Sequence, residues 1–186
     1  MSRHMHGYFE GELDLAAVAL GLAAGSGYIG GSLLVKATDA SRAAAVPVLT
    51  VGLAEAAIGI GLMVRTGPQV RGLDEQIANS PAEYVREEGA RIDRVLSNFV
   101  VFRTVETILI VAGAATAVTG LALEEDRAVG AGLGVGAQAT AVLCLDALAE
   151  ARAERYRDAI GRFSASPIIA PAESGGVYGL SVGASF

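Results

Sequence analysis

Four apolar blocks of about 20 residues dominate the chain, at residues 13–35, 43–64, 102–123 and 128–149. A helix needs about that length to cross a bilayer hydrocarbon core of roughly 30 Å. Core helices of water-soluble domains are usually shorter and keep one polar face. The first and fourth blocks are apolar all round apart from small polar residues, which predicts membrane spans. The blocks come in pairs. Residues 36–42 (Lys-Ala-Thr-Asp-Ala-Ser-Arg) separate the first pair, and residues 124–127 (Glu-Glu-Asp-Arg) the second. Turns this short make each pair an antiparallel hairpin. The expected fold is all-α: two helical hairpins, four long helices in a four-span membrane bundle, and an extended C-terminal tail.

Composition removes other classes. At 52% hydrophobic residues the chain is not disordered. A net charge of −6 and pI near 4.9 argue against a nucleic-acid partner. Cys144 stands alone, so no intrachain disulfide or cysteine-based zinc cluster is available, and His4 and His6 are the only histidines. No nucleophile–base set, metal-ligand spacing or phosphate loop occurs, so no catalytic or metal site, no cofactor and no enzymatic activity are expected. A mean hydropathy of +0.47 is low for four spans, and tryptophan is absent. That keeps open a second reading, an oligomeric scaffold enclosing lipid or quinone.

Local signals set the expected boundaries. Asp39 or Ser41, and Asp126, are candidate caps for the returning helices. Pro47 should kink the second helix, and Gly67-Pro68 should end it, leaving a short separate helix over 73–79. Ser80-Pro81-Ala82-Glu83 has the pattern of a capping box, and no breaker stronger than Gly89 follows before Glu124. One helix is therefore expected over 81–123. The fourth helix should continue to Phe163. The bundle thus covers residues 1–163, with residues 70–98 and 150–163 forming a charged two-helix stalk that includes a Glu87–Arg91 pair.

Ten arginines fall at the stalk end, here the base, against Lys36, Arg42 and Arg127 at the apex. The asymmetry points to a bacterial inner membrane with the base in the cytoplasm, the outer membrane being the other option. Tyr8, Phe9, Phe99, Phe102 and Tyr156 fall where a basal aromatic belt would lie. Small-xxx-small pairs at Gly21/Gly25, Gly27/Gly31, Gly130/Gly134 and Gly132/Gly136 permit close helix packing. These glycine faces exceed the needs of one bundle, so self-association as a homo-oligomer, with membrane lipid as the other partner, is expected. Charges inside apolar blocks must face protein or water. Arg103, Glu106 and Asp146 are expected to form a buried ionic cluster. Glu55 lies near mid-membrane, with Gln138 among its candidate polar neighbours, and offers a proton or ion relay.

After Phe163 the composition changes. Residues 164–176 read as a linker, and Tyr178, Leu180, Val182, Ala184 and Phe186 alternate with glycine and serine. Strict period-two alternation marks a strand with one apolar face. This ending resembles the terminal strand of bacterial outer-membrane β-barrels, over ten of 186 residues. A lone strand cannot close a barrel, so Tyr178, Leu180, Val182 and Phe186 are expected to pair with other subunits or with a partner's sheet edge. The expected function is a structural or pore-type subunit of a self-associating bacterial membrane assembly. The alternatives are the lipid or quinone scaffold and an ion or proton conductor using Glu55.

Overall fold

A computed structural model describes residues 1–165; the C-terminal segment, with its strand-like pattern, lies outside the described residues. The chain forms four helices: α1 (Ser2–Lys36), α2 (Asp39–Asn79), α3 (Pro81–Ala122) and α4 (Asp126–Ala165). No strand occurs among the described residues. Each helix contains a segment long and apolar enough to cross a membrane.

The turns follow from local chemistry. Ala37 takes the left-handed conformation at φ 59° and closes α1. Thr38 then caps α2 in a reciprocal pair with Ser41. Thr38 Oγ1 accepts the Ser41 N–H at 3.1 Å, and Ser41 Oγ accepts the Thr38 N–H at 3.1 Å. The cap is therefore Thr38, with Ser41 as the third helical residue, rather than Asp39 or Ser41. In the second turn Glu124 is left-handed at φ 56°, and the Glu125 N–H reaches back to Gly120 O at 2.8 Å. Asp126 is the first residue of α4 instead of its cap, and its carboxylate sits where the helix dipole favours an anion.

Ser80 alone separates α2 from α3. Its N–H bonds to Gln76 O and its carbonyl accepts the Tyr84 N–H, so its backbone serves both helices. Its ψ of 60°, unlike the 156° of Thr38, directs the side chain away from the third amide. The expected capping box is not made, although Pro81 does open α3.

The stop expected at Gly67-Pro68 does not occur: α2 runs through it to Asn79. An internal proline costs about 3 kcal/mol. Val70, Leu73 and Ile77, beyond it, pack on the basal core, and partial burial of three such side chains offsets a penalty of that size. Thr66, fully buried, donates to Leu62 O at 2.7 Å and ties the turn before the proline. With α1 also beginning at Ser2, the part beyond the apolar zone contains four helices rather than a two-helix stalk.

α1 packs along α2, and α3 along α4; the hairpins join chiefly along α2 and α4. The α2–α4 pair is parallel, with Ala40 against Gly130, Ala44 and Pro47 against Gly134, and Val48 against Gln138. Gly113 of α3 meets Gly132 and Gly136 of α4 backbone to backbone.

Burial divides the molecule in two. At the base the large side chains point inward: Met5, Phe9, Tyr84, Ile92, Tyr156 and Ile160 form the core. Tyr8, Phe9 and Tyr156 are therefore core residues, not the expected aromatic belt; Phe102 is exposed. Through the apolar blocks the order inverts. Ile29, Leu53, Ile58, Val64, Ile108, Val111, Val118 and Leu133 face outward, while Ser26, Glu55, Glu106 and Gln138 are inside. No more than 28% of each apolar segment is buried within the bundle. A surface of that extent calls for hydrocarbon or other protein against it, and the molecule is a membrane-type four-helix bundle with its large-residue core at the base.

Candidate functional site

The polar interior of the apolar zone forms two layers. In the upper layer Gln138 Nε2 donates to Ser26 Oγ at 2.9 Å and approaches Val48 O at 3.3 Å. Small residues at the α1–α2 seam admit this: a side chain at Gly52 would strike Ser26. Gln138 lies 12 residues into α4 from Asp126, about 18 Å from the apical turn. Its amide links α1, α2 and α4 inside the apolar zone.

The lower layer holds carboxyl groups. Glu55 is 5% exposed, and neither carboxyl oxygen has a hydrogen-bond partner among the described residues. Glu106 is 6% exposed and its Oε2 is likewise unpartnered. Asp146 of α4 neighbours Glu106 across the α3–α4 seam. Extending the α2–α4 register by two turns from Val48 and Gln138 brings Glu55 level with Leu145 and Asp146. Gln138 therefore sits about two turns above Glu55 and is bonded elsewhere. Among the described residues no three acids, histidines or cysteines converge on a metal position.

The ionic cluster expected of Arg103, Glu106 and Asp146 is divided. Arg103 bonds to Glu150 of α4, nearer the base, and stays 55% exposed. The reason is length: Arg103 starts almost one turn basal of Glu106, and its guanidinium extends toward water rather than into the bundle.

The glycines also divide. A side chain at Gly130 would collide with Ala40 O, one at Gly132 with Gly113 O, and one at Gly134 would lie 2.8 Å from Ala44 O. These three seal the bundle's own seams, with Gly136 receiving Gly113. Gly21, Gly25, Gly27 and Gly31 have nothing within 4 Å. Beside them a shallow groove of about 420 Å³ runs between α1 and α2, lined by Leu20, Ala24, Gly27, Leu49, Leu53 and Ala56 among others.

A further polar network, missed in the sequence, occupies the base. Arg91 grips Glu88 through two bonds of 2.7 Å, and Glu88 is nearly inaccessible. Tyr156 Oη donates to Glu88 Oε1 at 3.0 Å and shares a 2.7 Å bond with Tyr84 Oη. Tyr8 stacks on Tyr156 at 4.5 Å, and the Arg91 guanidinium lies over the Tyr8 and Phe9 rings. Burial pushes Tyr8 and Tyr84 up to about 12. Burial raises Tyr156 further, with Glu88 adding to the effect. For Arg91 burial opposes the charge, but the Glu88 bonds prevail and hold it above its ordinary value. The expected Glu87–Arg91 pair is replaced by this Glu88–Arg91 pair, and Glu87 faces Arg86 and Gln76.

Residues Tyr178, Leu180, Val182 and Phe186 of the expected oligomer tail lie outside the described residues. Comparison with family models, with curated proteins and with solved structures finds no match. The fold and its site therefore rest on the chain's own residues.

Proposed function

We propose that the chain is a self-associating structural subunit of a membrane assembly. The observation that supports this is the unused small-residue surface of α1. Three of the four α4 glycines are closed by backbone from the same bundle, whereas Gly21, Gly25, Gly27 and Gly31 meet nothing. Helices in lipid associate by close packing, and the adjoining α1–α2 groove, lined by small residues and leucines, fits a helix of a second copy. A pore-type assembly would then run between copies, since backbone contacts at Gly130, Gly132 and Gly134 close the α2–α4 and α3–α4 seams within one. The arginine-rich base favours an inner-membrane assembly with the base in the cytoplasm. Gly27→Leu fills the groove mouth without touching the bundle's seams. It should lower the oligomeric mass in mild detergent while leaving the helical spectrum and melting point unchanged. An unchanged mass would refute the α1 interface.

A second reading, a proton conductor, is favoured by one observation: Glu55 and Glu106 keep unpartnered oxygens at one depth in the apolar zone. Purified chain in liposomes should then dissipate an imposed pH gradient, and Glu55→Gln should abolish the flux. A Glu55→Gln protein that conducts as well as wild type excludes that role.

A further inference from the structure

The base carries a second cavity, away from the carboxyls and the α1 face. It has a volume of about 270 Å³ and lies between the start of α1 and the end of α4, lined by Arg3, His4, Tyr8, Arg152, Arg155 and Tyr156, with Gly7 at its edge. In a chain of net charge −6 this lining contains three arginines, one histidine and no acid. Arg3 and Arg155 are exposed and make no ion pair among the described residues. Arg152 is held in place by donating through Nη1 to Gly11 O. Burial pulls Arg152 below its ordinary pKa, and Arg155 adds to that, while Tyr8, Asp14 and Glu12 act against it. With no acid in the lining itself, and Arg152 fixed by a backbone carbonyl, these cations suit an anion with several acceptor oxygens.

Position narrows the class. The outward-facing apolar surface reaches Leu13 on α1 and Leu148 on α4 at its basal edge. Arg152 follows Leu148 by four residues, about 6 Å along the helix. The headgroup layer beyond the hydrocarbon is roughly 5–8 Å deep on each side, so Arg152 lies within it, while Arg155, seven residues from Leu148, and Arg3, ten residues from Leu13, lie about 10 and 15 Å out, in the water beyond. The Tyr8–Tyr156 stack gives the cavity an apolar wall beside its cations.

We propose that this cavity binds a phosphate group, that of an anionic phospholipid headgroup or that of a soluble phosphate. The test uses the full chain in a neutral detergent. It is titrated separately with short-chain phosphatidylglycerol, short-chain phosphatidylcholine and inorganic phosphate, with bound molecules counted by native mass spectrometry. Phosphatidylglycerol should saturate at one per chain and bind about 10-fold or more tighter than phosphatidylcholine. The double variant Arg3→Gln/Arg155→Gln should weaken it about 10-fold or more, two charge-assisted contacts having been lost. Both side chains are exposed, so the variant should melt as wild type does. Inorganic phosphate that competes at equal concentration assigns the cavity to a soluble phosphate, and failure to compete assigns it to the lipid. The control Arg71→Gln/Arg94→Gln removes two exposed basal charges outside the cavity and should leave binding unchanged. Equal weakening by the control, binding by the Arg3/Arg155 variant equal to wild type, or no saturable binding by wild type would each overturn the proposal.

Discussion

Replacing Arg91 by methionine keeps much of the side-chain volume and removes the charge that faces Glu88. Glu88 has 2% of its side chain exposed and is held by two Arg91 bonds of 2.7 Å and one from Tyr156 of 3.0 Å. After Arg91→Met the carboxylate keeps only the tyrosine bond, deep among apolar side chains. Leaving one member of a buried pair uncompensated typically costs about 3–5 kcal/mol. The guanidinium also covers the Tyr8 and Phe9 rings at 5.8 and 5.6 Å, a contribution of about 1 kcal/mol. For a chain of this size about 4 kcal/mol corresponds to a fall in melting temperature of roughly 8–16 °C. Arg157→Ala provides the contrast. Its 2.5 Å bond to Asp93 lies in the open, both side chains being more than a third exposed, so its loss should cost about 0–1 kcal/mol. Thermal melting in mild detergent compares the two. The double variant Glu88→Leu/Arg91→Met removes the orphaned charge and should recover most of the loss, with Tyr156 keeping its bond to Tyr84. Melting of Arg91→Met within about 2 °C of wild type would refute the reasoning about the charge. A double variant as unstable as the single one would move the cause to lost packing.

Three further outcomes follow from the same structure. Gly113→Ala places a methyl 2.7 Å from Gly132 O and 2.8 Å from Gly136 N, neither of which can rotate away, so it should cost about 1–3 kcal/mol in a melting experiment, whereas Gly25→Ala, in open space within α1, should not lower the melting point of the dissociated chain and should add up to about 1 kcal/mol of stability through helix propensity. Ala37 occupies the left-handed region at φ 59°, ψ 14°, so Ala37→Gly should raise stability by about 0.5–1 kcal/mol, and an unchanged or lower melting point would contradict the assigned turn. Tyr8 and Tyr84 are raised from 10.0 to about 12, so between those values the unfolded chain has released protons that the native chain retains. Stability should be flat below pH 10 with respect to these groups and fall from about pH 10 to pH 12, with phenolate absorbance of the buried rings appearing together with loss of helix; phenolate formation ahead of unfolding would show the basal core to be open to water.

The spans, the hairpins and the unbroken α3 were legible because they depend on quantities local to the chain: block length, turn length and the absence of breakers. α3 ends at Ala122, one residue before the expected Leu123, and α4 runs past Phe163 to Ala165. The passage of α2 through Gly67-Pro68 was not legible. The local signal there favours a stop, and what overrides it is the packing of Val70, Leu73 and Ile77 on side chains from the other helices. The Tyr84–Tyr156 bond spans 72 residues and belongs to no motif. Counting α3 and α4 residues outward from their turn, so that level positions sum to about 251, brings Glu106 to Asp146 within the hairpin. It also placed Arg103 near Glu150, but which of the available acids the guanidinium would take depended on its reach toward water.

Glu55 shows where such counting ends. Its neighbours across α2–α4 are set by no turn, because these helices belong to different hairpins. The register comes instead from three contacts in which α2 meets small or polar residues of α4: Ala40 with Gly130, Ala44 with Gly134, Val48 with Gln138. Each is spaced one helical turn from the next, so the parallel pair is locked before it reaches Glu55. A bulky residue at Gly130 or Gly134 would therefore act at a distance, spreading the pair and changing what faces Glu55 about three to four turns away. The same glycines that shape the apical seam thus fix the depth at which the carboxyls of the two hairpins come level. This couples helix packing to the layer in which, among the described residues, buried carboxyl oxygens are left unpartnered within the apolar segments.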